Sequence, residues 1–224
     1  MSNNPYECVI FDFDGTLADT EELAFEIYNR LSSDYGYDQL TKEDMRHIKK
    51  MNLKQIVSHV NIPLTKLPKI ARHGQKELKK EMGKVDLFSE NDLEDIAAIR
   101  KRVRVLGIIT SNSKRNVEAF LTNHGIDAFD FIVSSPLTGK EKKIQTIAKR
   151  YNIDKDRILY VGDETRDITA SKKAGIDCAC VSWGYNHVEA LEKENPTYLV
   201  KSLKELRKIL GEKEETDEST ERCG

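Results

Sequence analysis

The sequence predicts an α/β protein: a doubly wound parallel sheet with a Rossmann-like core and a small α-helical module inserted near the start of the chain. Three observations carry this reading. Apolar runs such as Cys8-Val9-Ile10-Phe11 and Ile158-Leu159-Tyr160-Val161 lack polar alternation, as strands covered on both faces do. From Asn91 onward such runs alternate with helical patterns about 10 to 15 residues long, the rhythm of right-handed βαβ units. Between the first run and that alternation, residues 18–87 carry helical patterns and almost no strand pattern.

The elements follow in order. A first strand over 8–11 gives way to the acidic turn Asp12-Phe13-Asp14-Gly15. Leu23, Phe25, Ile27, Tyr28 and Leu31 then fall near helical spacing until Gly36 breaks the pattern. Short helices are expected over 42–50 and 53–60, the first opened by Thr41 with Asp44 three residues on. Pro63 and Pro68 punctuate, and a charged helix over 70–82 ends at Gly83. Next come a helix over 91–102 and a β-branched run over 103–109 that stops at Thr110-Ser111-Asn112. The remaining pattern reads helix 114–123, strand 129–134, helix 140–151, strand 158–161, helix 166–174 and strand 178–181, then helix 188–193, strand 198–200 and helix 203–210. This gives a core of 1–17 and 88–210, a helical module over 18–87, and a tail over 211–224 that is too polar to fold and is expected to be disordered.

Bulk properties exclude several function classes. The 224 residues carry 36 Lys+Arg against 38 Asp+Glu, a net charge of -2, so nothing argues for a nucleic-acid partner or a membrane surface. Neither a signal peptide nor an apolar stretch of membrane-spanning length is present, and the expected setting is cytoplasmic. Cys8, Cys178, Cys180 and Cys223 read as reduced thiols there. Cys178-x-Cys180 has no further ligands nearby to make a metal site and reads as core packing. The oligomeric state is left open.

The chemistry gathers at the predicted strand ends, where open α/β sheets bind ligands. Residues i and i+2 of a strand point the same way, so Asp12 and Asp14 project together at the end of the first one. Two bare carboxylates a few Å apart repel by about 4 kcal/mol at an effective dielectric of 20, and such a pair calls for a cation, a shared proton or solvent. Other predicted strand ends offer Thr110-Ser111-Asn112 and Gly162-Asp163-Glu164, with Asp167 four residues after Asp163. This acidic, oxygen-rich set suits Mg²⁺. Lys140 begins a helix directly after Gly139 and is preferred as the site cation over the neighbouring Lys142 and Lys143.

Acid, hydroxyl, lysine and acid, in that order on successive strand–helix units, resemble the haloacid dehalogenase-like superfamily. Asp12-x-Asp14-Gly15-Thr16-Leu17 looks like its first motif, Thr110 its second, Lys140 its third and Gly162-Asp163-Glu164-Thr165-Arg166-Asp167 its fourth. The helical insertion is similar to the small cap of phosphoglycolate-phosphatase-like members. Singly, each motif reduces to a turn, a strand end or a solvated helix face; their order is what assigns them.

The resemblance implies a Mg²⁺-dependent phosphatase acting on a small phosphorylated metabolite. Asp12 would be the nucleophile, forming an aspartyl-phosphate, and Asp14 the general acid/base. Family members that cleave carbon–halogen bonds lack that second acid, so Asp14 favours phosphoryl chemistry. The metal would be held by Asp12, the main-chain carbonyl of Asp14 and Asp163, with Asp167 ordering a metal-bound water or Lys140. Thr110, Lys140 and main-chain N–H groups near Ser111 and Asn112 would bind the phosphoryl oxygens. Lys50 or Lys54 of the helical module is a candidate contact to an anionic group, and Trp183-Gly184-Tyr185 a candidate wall of the site. The rival readings are a sugar-phosphate mutase of the same superfamily and a non-catalytic phospho-acceptor module. Receiver domains, the model for the latter, lack the helical insertion and take their phosphorylated Asp from a later strand.

Overall fold

The structure is a computed structural model that describes residues 4–62, 64–135 and 139–212, without the side chains of Leu53 and Leu64. Pro63 and nearly all of the predicted polar tail lie outside the described residues. Six parallel strands form one sheet in the order β3-β2-β1-β4-β5-β6. They are β1 (Cys8–Phe11), β2 (Val105–Thr110), β3 (Phe131–Ser134), β4 (Ile158–Gly162), β5 (Asp177–Val181) and β6 (Tyr198–Val200). The first strand is therefore central, with Cys8 opposite Val105 on one side and Ile158 on the other.

Side-chain alternation along these strands builds two apolar layers. Val9 and Phe11 join Leu106, Ile108, Leu159 and Val161 on one face. Cys8 and Ile10 join Ile109, Ile158 and Tyr160 on the other, beneath Ile144 and Ile147 of α7 (Lys140–Tyr151). Each such side chain, fully buried, contributes roughly 1.5–3 kcal/mol through removal from water. Both faces are covered, so the sheet sequences have no polar register.

The chain between β1 and α5 (Asp92–Arg100) is helical, with α1 (Glu21–Tyr35), α2 (Lys42–Ile48), α3 (Leu53–His59) and α4 (Leu67–Glu81). Thr41 and Asp44 form the expected capping box on α2: each side chain accepts from the other's backbone N–H. Pro68 does not separate elements as expected. It sits in the first turn of α4, where its missing N–H has no helical acceptor to lose, and the helix begins three residues before its predicted start. Ile27 and Leu31 of α1, with Ile70 and Leu78 of α4, share one apolar cluster with Phe11 and Phe13. The remaining helices are α6 (Lys114–Asn123), α8 (Thr165–Ala174), α9 (Val188–Lys193) and α10 (Leu203–Ile209). Among the described residues no helix is long and apolar enough to cross a membrane.

Candidate active site

The strand order puts the ends of β2, β1 and β4 side by side, and the predicted residues meet there. Asp12 follows the last residue of β1 and donates its N–H to Val161 O at 2.7 Å. Its side chain does not pair with Asp14. Asp12 Oδ2 accepts from Lys140 Nζ at 2.5 Å, and Asp12 Oδ1 from the N–H of Phe13 at 2.8 Å. Lys140 also donates to Asp167 Oδ1 at 2.6 Å. Asp12 and Lys140 are only 1% and 2% exposed, whereas Lys142 is exposed, which identifies Lys140 as the lysine of the cluster.

Asp163 and Asp167 come from the end of β4 and the first turn of α8, and both are fully buried. Thr16 Oγ1 donates to Asp163 Oδ1 at 2.7 Å, and the Tyr185 N–H donates to Asp163 Oδ2 at 2.8 Å. Gly15 makes this approach possible. It turns with φ 77°, and a Cβ there would lie 2.3 Å from Asp163 Oδ2. One carboxylate oxygen from each of Asp12, Asp163 and Asp167 lies within 4.8 Å of the others. Three buried carboxylates against the single ammonium of Lys140 form an oxygen-only donor set of the kind hard divalent cations take.

Asp14 belongs to a second group. Its Oδ1 accepts from Asn112 Nδ2 at 2.9 Å and from Thr20 Oγ1 at 3.1 Å, and Thr20 also bonds Tyr185 Oη at 2.7 Å. Asn112, read from the sequence as a substrate-binding residue, has its polar groups engaged within the protein here. Its N–H is already given to Thr110 Oγ1 at 3.0 Å, closing the turn after β2, and its side chain orients Asp14. Ser111 Oγ instead faces Arg166, with Nη2 at 3.4 Å. The alternation that suggested two facing acids ends with β1 at Phe11, so each acid has its own partners.

The electrostatics follow from enclosure. Burial raises the Asp12 carboxyl above its ordinary range, and the Lys140 ammonium opposes that rise. Burial likewise raises Asp14, against the hydrogen bonds from Asn112 and Thr20. Asp163 is pushed well up by burial and then by Glu164, Asp12 and Asp167. Burial disfavours the charge on Lys140, but Asp12 and Asp167 outweigh it and hold the ammonium above its usual value.

The helical segment lies against this centre. Gln75 Nε2 of α4 donates to Ser111 O at 2.5 Å, and Asn116 Nδ2 donates to Gln75 O at 3.1 Å. Asn186 Nδ2 donates to Lys49 O at 3.1 Å and to Met51 O at 3.2 Å. Trp183 donates to Thr16 O at 3.2 Å and packs on Phe88. Lys50 is an exposed partner of Glu189 at 3.2 Å, and Lys54 is exposed. Sequence reasoning missed Thr20, Gln75, Asn116 and Arg166. Thr20 alone carried a local signal, a threonine just before a helix, and even there the hydroxyl serves Asp14 and makes no capping bond.

The haloacid dehalogenase-like hydrolase family profile matches residues 9–181. The chain is 30% identical over 203 residues to the phosphoglycolate phosphatase of Synechococcus elongatus, covering 89% of this chain and 95% of that one. It is 27% identical over 222 residues to the pyrophosphatase PpaX of Bacillus pumilus, covering 94% and 99% of the two chains. Among solved structures, a haloacid dehalogenase-like family hydrolase of Streptococcus pneumoniae has the same fold at a TM-score of 0.75 and 17% identity, covering 90% of this chain and 97% of that one.

Proposed function

Because the chain belongs to the haloacid dehalogenase-like hydrolase family, we propose that it is a Mg²⁺-dependent phosphatase that hydrolyses a small phosphomonoester through an aspartyl-phosphate on Asp12. The observation that carries this is the sealed cluster of Asp12, Lys140, Asp163 and Asp167, with Asp14 held apart on Asn112 and Thr20. The named activities of the similar proteins, on phosphoglycolate and on pyrophosphate, support phosphoryl chemistry on a small substrate. A cytosolic setting is part of the reading, in keeping with the buried free thiols of Cys8, Cys178 and Cys180.

An Asp12 carboxylate oxygen attacks phosphorus, and the bond from phosphorus to the leaving oxygen breaks. Asp14, its pKa raised by burial, gives the leaving oxygen its proton. Water then attacks the phosphorus of the aspartyl-phosphate, passes a proton to Asp14, and releases inorganic phosphate with Asp12 restored. Thr110 accepts the Asn112 N–H, which leaves its own O–H to donate to a phosphoryl oxygen. Lys140 stays charged and balances the acids beside it.

The residues fit a hard cation: Mg²⁺ would be held by Asp12, the Asp14 main-chain carbonyl and Asp163, with Asp167 ordering its water or Lys140. When bound it supplies positive charge to the carboxylates and to the phosphoryl oxygens. Residues 18–87 act as a cap in this reading. Their contacts to Ser111 and to Asn186 enclose the nucleophile, so the segment must part from the core to admit substrate.

Asp12→Asn should remove phosphatase activity and keep the fold; near-wild-type turnover in that variant would sink the nucleophile assignment. Chelation with EDTA should abolish turnover and added Mg²⁺ restore it. A panel of phosphoglycolate, inorganic pyrophosphate, sugar phosphates and nucleotides reads the substrate class directly.

A further inference from the structure

Arg166 stands in the first turn of α8 and crosses the site. Its Nε donates to Glu164 Oε2 at 2.6 Å, and its Nη2 ion-pairs with the same carboxylate. Nη2 also reaches Ser111 Oγ at 3.4 Å. Nη1 is buried and has no hydrogen-bond partner among the described residues. Native structures seldom bury a donor and leave it unmet, so a guanidinium pinned by two of its nitrogens with the third idle calls for an acceptor that arrives later.

The topology says where that acceptor sits. Ser111 follows β2 and Arg166 follows β4, and β1 runs between those strands. The bridge from Arg166 to Ser111 therefore passes over the carboxyl end of β1, where Asp12 stands. Its positive charge acts on both Asp12 and Asp14. Lys140 spends two of its three N–H donors on Asp12 and Asp167. An incoming phosphoryl group with several anionic oxygens thus finds in Arg166 a second cation with a free donor.

We propose that Arg166 is a further catalytic residue, donating through Nη1 to a non-bridging oxygen of the phosphoryl group over Asp12. Glu164 holds the guanidinium in place, and the same contact binds the phosphate product. The proposal rests on the phosphatase reading for turnover, but phosphate binding tests it without turnover.

The experiment measures inorganic phosphate binding by titration calorimetry with Mg²⁺ present, and kcat and KM for p-nitrophenyl phosphate, in wild type, R166Q and R166K. R166Q should lose about tenfold or more in phosphate affinity and on the order of 100-fold in kcat/KM, the size seen for loss of one oxyanion donor. R166K, which keeps the charge but not the fork, should recover part of the phosphate affinity. A folded R166Q within about threefold of wild type in both quantities overturns the proposal, as does a wild type that binds no phosphate. If R166Q fails to fold, R166K with wild-type phosphate affinity and kcat/KM overturns it, and a loss in both supports it. A wild type that binds phosphate but cleaves no ester defeats the phosphatase reading instead, and the calorimetric comparison still decides for or against Arg166.

Discussion

Without the ammonium of Lys140, the carboxylates of Asp12 and Asp167 would share a dry interior with Asp163 and lose their cation. Breaking a buried ion pair by removing one partner costs about 3–5 kcal/mol, because the remaining charge is stranded. Lys140→Ala should therefore lower the urea midpoint strongly, with added Mg²⁺ restoring part of the loss. Lys142→Ala, on an exposed position two residues away, should stay within about 0.5 kcal/mol of wild type. Side-chain type and spacing made Asp12, Asp14, Thr110, Lys140, Asp163 and Asp167 legible in the sequence, since each lies at or just beyond the end of a strand or in the first turn of a helix. The roles of Thr20, Gln75 and Arg166 were not legible. Gln75 and Arg166 meet Ser111 from 36 and 55 residues away, and Thr20, though close to Asp14 in sequence, also bonds Tyr185 from far along the chain, so only the fold brings these groups together.

At the scale of elements, strands buried on both faces announce themselves as unbroken apolar runs, but their ends and close approaches do not. The third strand was expected from Phe129 and begins at Phe131. Asp130 explains the offset, because its N–H donates to Leu106 O at 2.7 Å while its own carboxylate accepts the Leu106 N–H at 2.8 Å. A side chain there does the work of a backbone carbonyl. Gly107, inside a β-branched run, also carried no mark of its purpose. It pairs with Phe131, and a Cβ on it would lie 2.1 Å from the ring. Gly107→Ala should destabilise by about 1–3 kcal/mol through overpacking, read as a lower denaturant midpoint at unchanged slope. Combining it with Phe131→Leu should return part of the loss, because the two sites share the strained contact.

For the whole molecule, Asn186 holds two of the polar contacts between the helical segment and the rest of the chain. It donates to Lys49 O and Met51 O, while its Oδ1 accepts from the Thr165 N–H at 2.8 Å in the first turn of α8. One amide thus ties the loop between α2 and α3 to the helix that carries Asp167 and Arg166. Asn186→Ala should leave the sheet intact yet speed proteolytic cutting within residues 36–62, read by mass spectrometry of the first fragments. The central place of β1 has a further consequence, for how the chain reaches its fold. The strand that carries the nucleophile leaves the ribosome first, but its two neighbours begin at Val105 and Ile158. Until the strand at Val105 has been made, Cys-Val-Ile-Phe has no partner, and until the strand at Ile158 follows one of its sides stays open, so closing it requires contacts of long sequence separation. Sheet closure and assembly of the acidic centre are one late event, so a nascent chain stalled before Ile158 has Asp12 but neither β4 nor the carboxylates of Asp163 and Asp167.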